Sequence, residues 1–151
     1  MRLVVQRVSS ASVTVGESRV ASIGHGLLVL VGIAPTDTPG DVAVAAEKLP
    51  LLRIFPDESG AMNRSLLDIG GSILAVSQFT LLADVTRGRR PSFTAAAPPQ
   101  VAAPLFDELV MRIAAGGVPV ESGVFGAHME VELVNDGPVT LTVEITRGRI
   151  L

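Results

Sequence analysis

Ser77-Gln78-Phe79-Thr80 is the segment of this sequence best suited to chemistry, because it sets consecutive polar groups at the end of an apolar run, Ile73 to Val76. Backbone amides come free where a strand breaks. Amides at such a break can stabilise an oxyanion, while the Gln78 side chain can orient a carbonyl or a ribose hydroxyl. The same hydroxyls could instead satisfy their own strand end, and pattern alone leaves both readings open. Thr80 has no base beside it in sequence, so it reads as a hydrogen-bonding group rather than a nucleophile. Asn135-Asp136-Gly137-Pro138 is a second candidate. Its residue types suit a plain hairpin turn, the simpler reading. A proline there can also take a cis bond, which would fix the glycine carbonyl as a projecting acceptor and stiffen the turn. Arg87, Arg89 and Arg90 put three of the twelve basic residues in one glycine-bearing loop, which suits phosphate contact. Eleven of those twelve are arginine, so a merely solvated loop is the plain alternative.

The usual hydrolytic machinery is nearly absent. The chain has two histidines, His25 and His128, no cysteine and no Gly-x-Ser-x-Gly elbow, so neither a serine triad nor a thiolate nucleophile is expected. No histidines stand at ligand spacing and no carboxylates cluster, so no metal and no cofactor are expected. The net charge of −3 argues against a nucleic-acid partner, and a local basic patch must carry any such case. The N-terminus lacks a secretory layout, and the run Leu27 to Ile33 is far short of the roughly 20 residues of a membrane span. A reducing, cytoplasmic location and no membrane are expected.

The elements that must hold these groups follow from length and periodicity. The 151 residues suit one domain, 1–151, and 48% apolar content with only 3% aromatic calls for an aliphatic core. Alternation predicts three short antiparallel strands over Arg2 to Val8, Ser12 to Val15 and Arg19 to Ile23, then a central strand from Gly26 to Ile33. Thr38-Pro39 opens a helix ending near Pro50. Arg53 to Phe55 and Ser72 to Gln78 read as strands, Ala83 to Pro98 as a long loop, and Pro99 to about Gly116 as a second helix. Val118 to Glu121, Met129 to Val134 and Val139 to Thr146 complete the strands, with Asn135 to Pro138 as a tight connection between the last two and 147–151 as a frayed tail. The sum is an α+β fold: a mainly antiparallel, barrel-like sheet with two main helices.

Taken together, the segments resemble the D-aminoacyl-tRNA deacylase family almost end to end. The carrying residues are Val4-Val5-Gln6-Arg7-Val8, Gly26-Leu27-Leu28-Val29, Leu52-Arg53-Ile54-Phe55 and Ser77-Gln78-Phe79-Thr80-Leu81. Gly88-Arg89-Arg90-Pro91-Ser92-Phe93, Phe125-Gly126-Ala127-His128-Met129 and Asn135-Asp136-Gly137-Pro138-Val139-Thr140 continue the match. The resemblance implies hydrolysis of the ester between a D-amino acid, or glycine, and the 3′-terminal adenosine of tRNA, without a cofactor and without DNA as a partner. It implies a homodimer with its site at the subunit interface, where Gly137-Pro138 of one copy excludes L-residues from the pocket of the other. Ser77, Gln78, Phe79 and Thr80 would line that pocket, with chemistry from a tRNA ribose hydroxyl and backbone amides. Arg7, Asn135, Phe125, Gly126, Ala127, Met129, Arg87, Arg89 and Arg90 would bind substrate or tRNA. Leu82, Val124 and His128 depart from the common pattern. Two rivals remain: a same-fold deacylase with a trans Gly-Pro bond acting on L-alanyl-tRNA mischarges, and a non-catalytic dimeric RNA-binding module.

Overall fold

A single strand organises the sheet. In the computed structural model, which describes residues 1–151, Arg2–Val15 form one strand, β1, where two were expected. Leu3, Val5, Val8 and Val13 along it are fully buried, so the polar Ser9-Ser10 step does not end it. Register slips around Val8 instead bend it. The first half of β1 pairs with β3 (Gly26–Gly32) and the second half with β2 (Ser18–Ile23). One long strand, β8 (Glu130–Thr146), runs antiparallel along both halves. Beyond β3 the sheet turns parallel, through β6 (Ser72–Ser77) to β7 (Val120–Ser122). The sheet is therefore mixed but mainly antiparallel, with antiparallel pairs about β1 and at the end of β8 and parallel pairs only beyond β3. β2 also packs on β6 and β7, which curls the sheet into a half-barrel.

Two cores follow from that curl. Val8, Val13, Ile23, Leu28, Leu74 and Val76 fill the inside of the half-barrel. Leu3, Val5, Leu27, Val29 and Ile73 point the other way, against α1 (Pro39–Leu51) and α3 (Pro99–Ala115), where Val42, Leu49, Leu109 and Ile113 meet them. A third helix was not expected: α2 (Leu66–Ile69) is one turn, capped by Ser65 and ended by Gly70 at φ 62°. α3 runs on through Pro104. A small hairpin of β4 (Phe55–Pro56) and β5 (Met62–Arg64) lies between α1 and α2.

The C-terminal tail is ordered. Arg149–Ile150 form β9, paired with Ile145 and Thr146, and the intervening Gly148 N–H donates to Asp41 Oδ1 at 2.8 Å. Asp41 is buried at the start of α1, where its other oxygen accepts from Thr38 N at 2.9 Å and Thr38 Oγ1 at 2.8 Å. Burial pushes this carboxyl up, but the bonds from Gly148 and Thr38, with the N-terminal ammonium, outweigh it and hold the pKa below its ordinary value. A depressed native pKa gives stability that is full above the unfolded-state value and is lost as pH falls through the native one. Asp41→Asn should therefore cost about 1–2 kcal/mol at pH 7 by urea denaturation. Its deficit should shrink as both proteins are taken below about pH 4. An equal deficit at pH 7 and pH 2.5 would rule out a contribution from the ionised carboxylate.

Candidate active site

β6 ends where its neighbour still holds it: Gln78 N–H donates to Val31 O at 2.8 Å. The chain then enters a 3₁₀ turn, Phe79–Leu82, whose first internal bond is Leu81 N–H to Gln78 O at 3.2 Å. The amides of Phe79 and Thr80 thus open the turn, and the turn supplies neither with an acceptor. Gly32 lets the turn come close, since a Cβ there would meet Leu81 Cβ at 3.1 Å and Gln78 O at 3.2 Å. Arg2 Nη1 clamps it from outside by donating to Leu81 O at 2.8 Å.

Beside this turn lies a cleft of about 590 Å³. Ser77, Gln78 and Phe79 form one wall, and Phe125, Gly126, Ala127, His128 and Met129 form another. Phe93 and Ala96 to Pro99, from the long loop and the start of α3, close the third side. Thr80 does not line it; its hydroxyl instead accepts a hydrogen bond from the Gln78 side-chain amide. Arg87, Arg89 and Arg90 lie outside the cleft on the exposed loop. A two-way backbone bridge between Asp84 and Ser92 fixes the root of that loop, at 2.8 and 2.9 Å. Hydrogen bonds from the Thr86 hydroxyl and N–H hold the Asp84 carboxyl below its usual range. Nowhere do three or more His, Asp or Glu side chains gather as a metal would need.

Asn135 to Pro138 is not a hairpin. Between the pairs Gln6↔Thr140 and Val8↔Asn135, β1 advances two residues while β8 advances five, so the segment is an outward excursion of one strand. Both flanks pair with β1 in the same direction, which a hairpin could not do. Asn135 brackets the excursion: its Oδ1 accepts from Val139 N–H at 2.7 Å and its Nδ2 donates to Val139 O at 3.2 Å. Arg7, buried beneath, donates from Nε to Asp136 O at 2.7 Å and from Nη1 to Ile54 O at 2.5 Å. His25 Nε2 lies 3.5 Å from Asp136 Oδ2, its ring edge-on to Phe55. The Gly137–Pro138 bond is cis. Gly137 stands at φ 145°, and a Cβ there would meet Val139 Cγ2 at 2.8 Å.

A single chain does not bring the two candidate segments together. Ser77 pairs with Val31 and Val31 with Leu3, whereas the excursion lies opposite Arg7 on the far side of β1. Four residues of strand separate those levels, about 13 Å, in addition to the breadth of β3 and β1. Arg7, Asn135, Gly137 and Pro138 accordingly line no part of the cleft. Sequence reasoning had not placed Phe93 or Ala96 to Pro99 at the site. The Pro98-Pro99 step was their one signal, because a helix starting there turns the loop end inward.

Residues 4–144 match the family model described as D-Tyr-tRNA(Tyr) deacylase. The chain is 58% identical to the D-aminoacyl-tRNA deacylase of Desulforudis audaxviator, across 95% of this chain and 97% of that one. It is 60% identical to the protein of the same name from Thermomicrobium roseum, across 95% and 94%. A solved structure described as c-Myc DNA Unwinding Element Binding Protein superposes with a TM-score of 0.89 at 41% identity, covering 95% of this chain and 98% of that one. A structure described as a probable eukaryotic D-amino acid tRNA deacylase shares the fold, with a TM-score of 0.80 at 21% identity and coverage of 93% and 97%. The match takes in both the turn after β6 and the excursion of β8, and the chain therefore belongs to the D-Tyr-tRNA(Tyr) deacylase family.

Proposed function

We propose that this chain, a D-aminoacyl-tRNA deacylase, works as a cytoplasmic homodimer on the ester at the 3′-terminal adenosine, cleaving D-aminoacyl- and glycyl-tRNA and sparing L-esters. The observation that carries the reading is the turn beside the cleft, whose first two amides, of Phe79 and Thr80, have no acceptor within it. Donors so placed suit the oxyanion formed when water adds to an ester carbonyl. With no acid–base pair in the wall, the proton traffic falls to the ribose hydroxyl next to the ester. Water adds, the tetrahedral oxygen rests on the two amides, and the adenosine oxygen leaves with a proton, giving free amino acid and tRNA.

Phe125, Gly126, Ala127 and Met129 would seat the adenosine, while Arg87, Arg89 and Arg90 would meet phosphates. Gly137 and Pro138 would act as the chiral gate. Their separation from the cleft within a protomer supports a gate supplied by a second copy.

The test is a deacylation assay on D-tyrosyl-, L-tyrosyl-, L-alanyl- and glycyl-tRNA. D and glycyl esters should be cleaved and L-esters spared. Preferential cleavage of L-alanyl-tRNA would favour the same-fold rival. Binding without hydrolysis of any ester would leave an RNA-binding module. Thr80→Ala should keep kcat within about tenfold, since the backbone and RNA supply the chemistry. A loss of about a thousandfold or more would make the hydroxyl chemical and overturn the mechanism.

A further inference from the structure

The chain has five phenylalanines and no tyrosine or tryptophan; three of those rings line the cleft and a fourth packs against one of them. Phe106 and Phe125 pack together, centroids 6.2 Å apart, against the core behind it. Phe79 and Phe93 belong to neither core. They meet edge to face at 5.1 Å on the cleft wall and remain 56% and 38% exposed. Keeping two rings in water is unfavourable unless something covers them.

What covers them is indicated by their surroundings. The loop that carries Phe93 also carries the exposed Arg87, Arg89 and Arg90, and the Asp84–Ser92 bridge fixes its root beside the ring. Exposed rings on the wall of a cleft, one of them on a loop that also carries three arginines, match single-stranded nucleic acid. Rings stack bases whatever their identity, and cations track the phosphates. We propose that Phe79 and Phe93 form a second base seat, on which the unpaired base preceding the terminal adenosine stacks, while the arginine loop holds the phosphates of that strand. This rests on reading the cleft as the adenosine seat. The enzyme then grips its substrate through at least two unpaired nucleotides, without reading sequence at the second.

The experiment compares D-tyrosyl-tRNA with D-tyrosyl-adenosine, which lacks the second base. Phe93→Leu should raise KM at least fivefold more for the tRNA ester than for the nucleoside ester, with kcat kept. Equal effects on both substrates, or no effect on either, would overturn the proposal. Loss of the wild-type oligomeric state in Phe93→Leu by light scattering would assign the rings to a contact between copies and also overturn it. Phe93→Trp introduces the only indole in the chain. Its fluorescence should be quenched by CpCpA at concentrations where adenosine leaves it unchanged, and equal quenching by adenosine would overturn the seat. Should wild type cleave neither ester while CpCpA still quenches the indole, the deacylase reading falls and the base seat stands.

Discussion

Arg7→Leu is expected to destabilise the protein by about 3–5 kcal/mol and to lower its preference for D- over L-aminoacyl-tRNA at least tenfold. The guanidinium is buried and serves three partners: the Asp136 and Ile54 carbonyls at 2.7 and 2.5 Å, and the Asp136 carboxylate at 3.4 Å. Leucine keeps most of the stem's volume but leaves the two carbonyls without a donor, at about 1–3 kcal/mol for each one that water cannot reach. The carboxylate is half exposed and adds little. The functional loss follows because Arg7 ties the excursion carrying Gly137 and Pro138 to the segment just before the β4–β5 hairpin. Urea denaturation reads the first effect and paired D and L deacylation assays the second. Arg7→Lys, with a point charge in place of a fork, should fall between the two proteins. If a folded Arg7→Leu still rejects L-esters as strictly as wild type, the excursion is not the gate.

Gly26→Ala should be more damaging still, costing more than about 4 kcal/mol or preventing folding. A Cβ at Gly26 would lie 1.9 Å from the carbonyl oxygen of Ser72. That oxygen belongs to the backbone of the first parallel pair, Gly26↔Ser72, so no side chain can move aside and β3 must part from β6. The same ladder delivers Ser77 to the cleft at its other end. Gly24→Ala, two residues earlier, is the control: nothing lies within 4 Å of its Cβ, and stability should stay within about 0.5 kcal/mol. Thermal unfolding of the three proteins decides the matter. A Gly26→Ala protein as stable as the control would show that the sheet can open at Ser72 without cost.

Legibility in the sequence divides by range. The central strand from Gly26, the Thr38-Pro39 helix start, the irregular loop before Pro99 and the polar end of β6 are all marked by neighbouring residues, and all appear where expected. The misreadings share one cause. Ser9-Ser10-Ala11 looks like a break, and Asn135-Asp136-Gly137-Pro138 like a hairpin, because turn chemistry is local. What carries the chain through both is pairing with a strand more than a hundred residues away. The tail looked frayed because its anchor, Asp41, is equally remote. At the site, a strand end announced Ser77 and Gln78, whereas Phe93 and Ala97 come from chain without periodicity. Nothing local says which way such chain faces.

The pairing of β1 with β8 also constrains how the molecule is made. Arg2 finds its partner in Glu144, 142 residues further on. During synthesis β1 therefore waits for β8 before the ladder can close, and loop closure over such a span comes at a high entropic cost. Through most of synthesis, one whole flank of a long apolar strand offers open amides and carbonyls to any strand that passes, the situation in which chains associate wrongly. The topology that secures Arg7 beneath the excursion thus leaves the nascent protein dependent on finishing quickly.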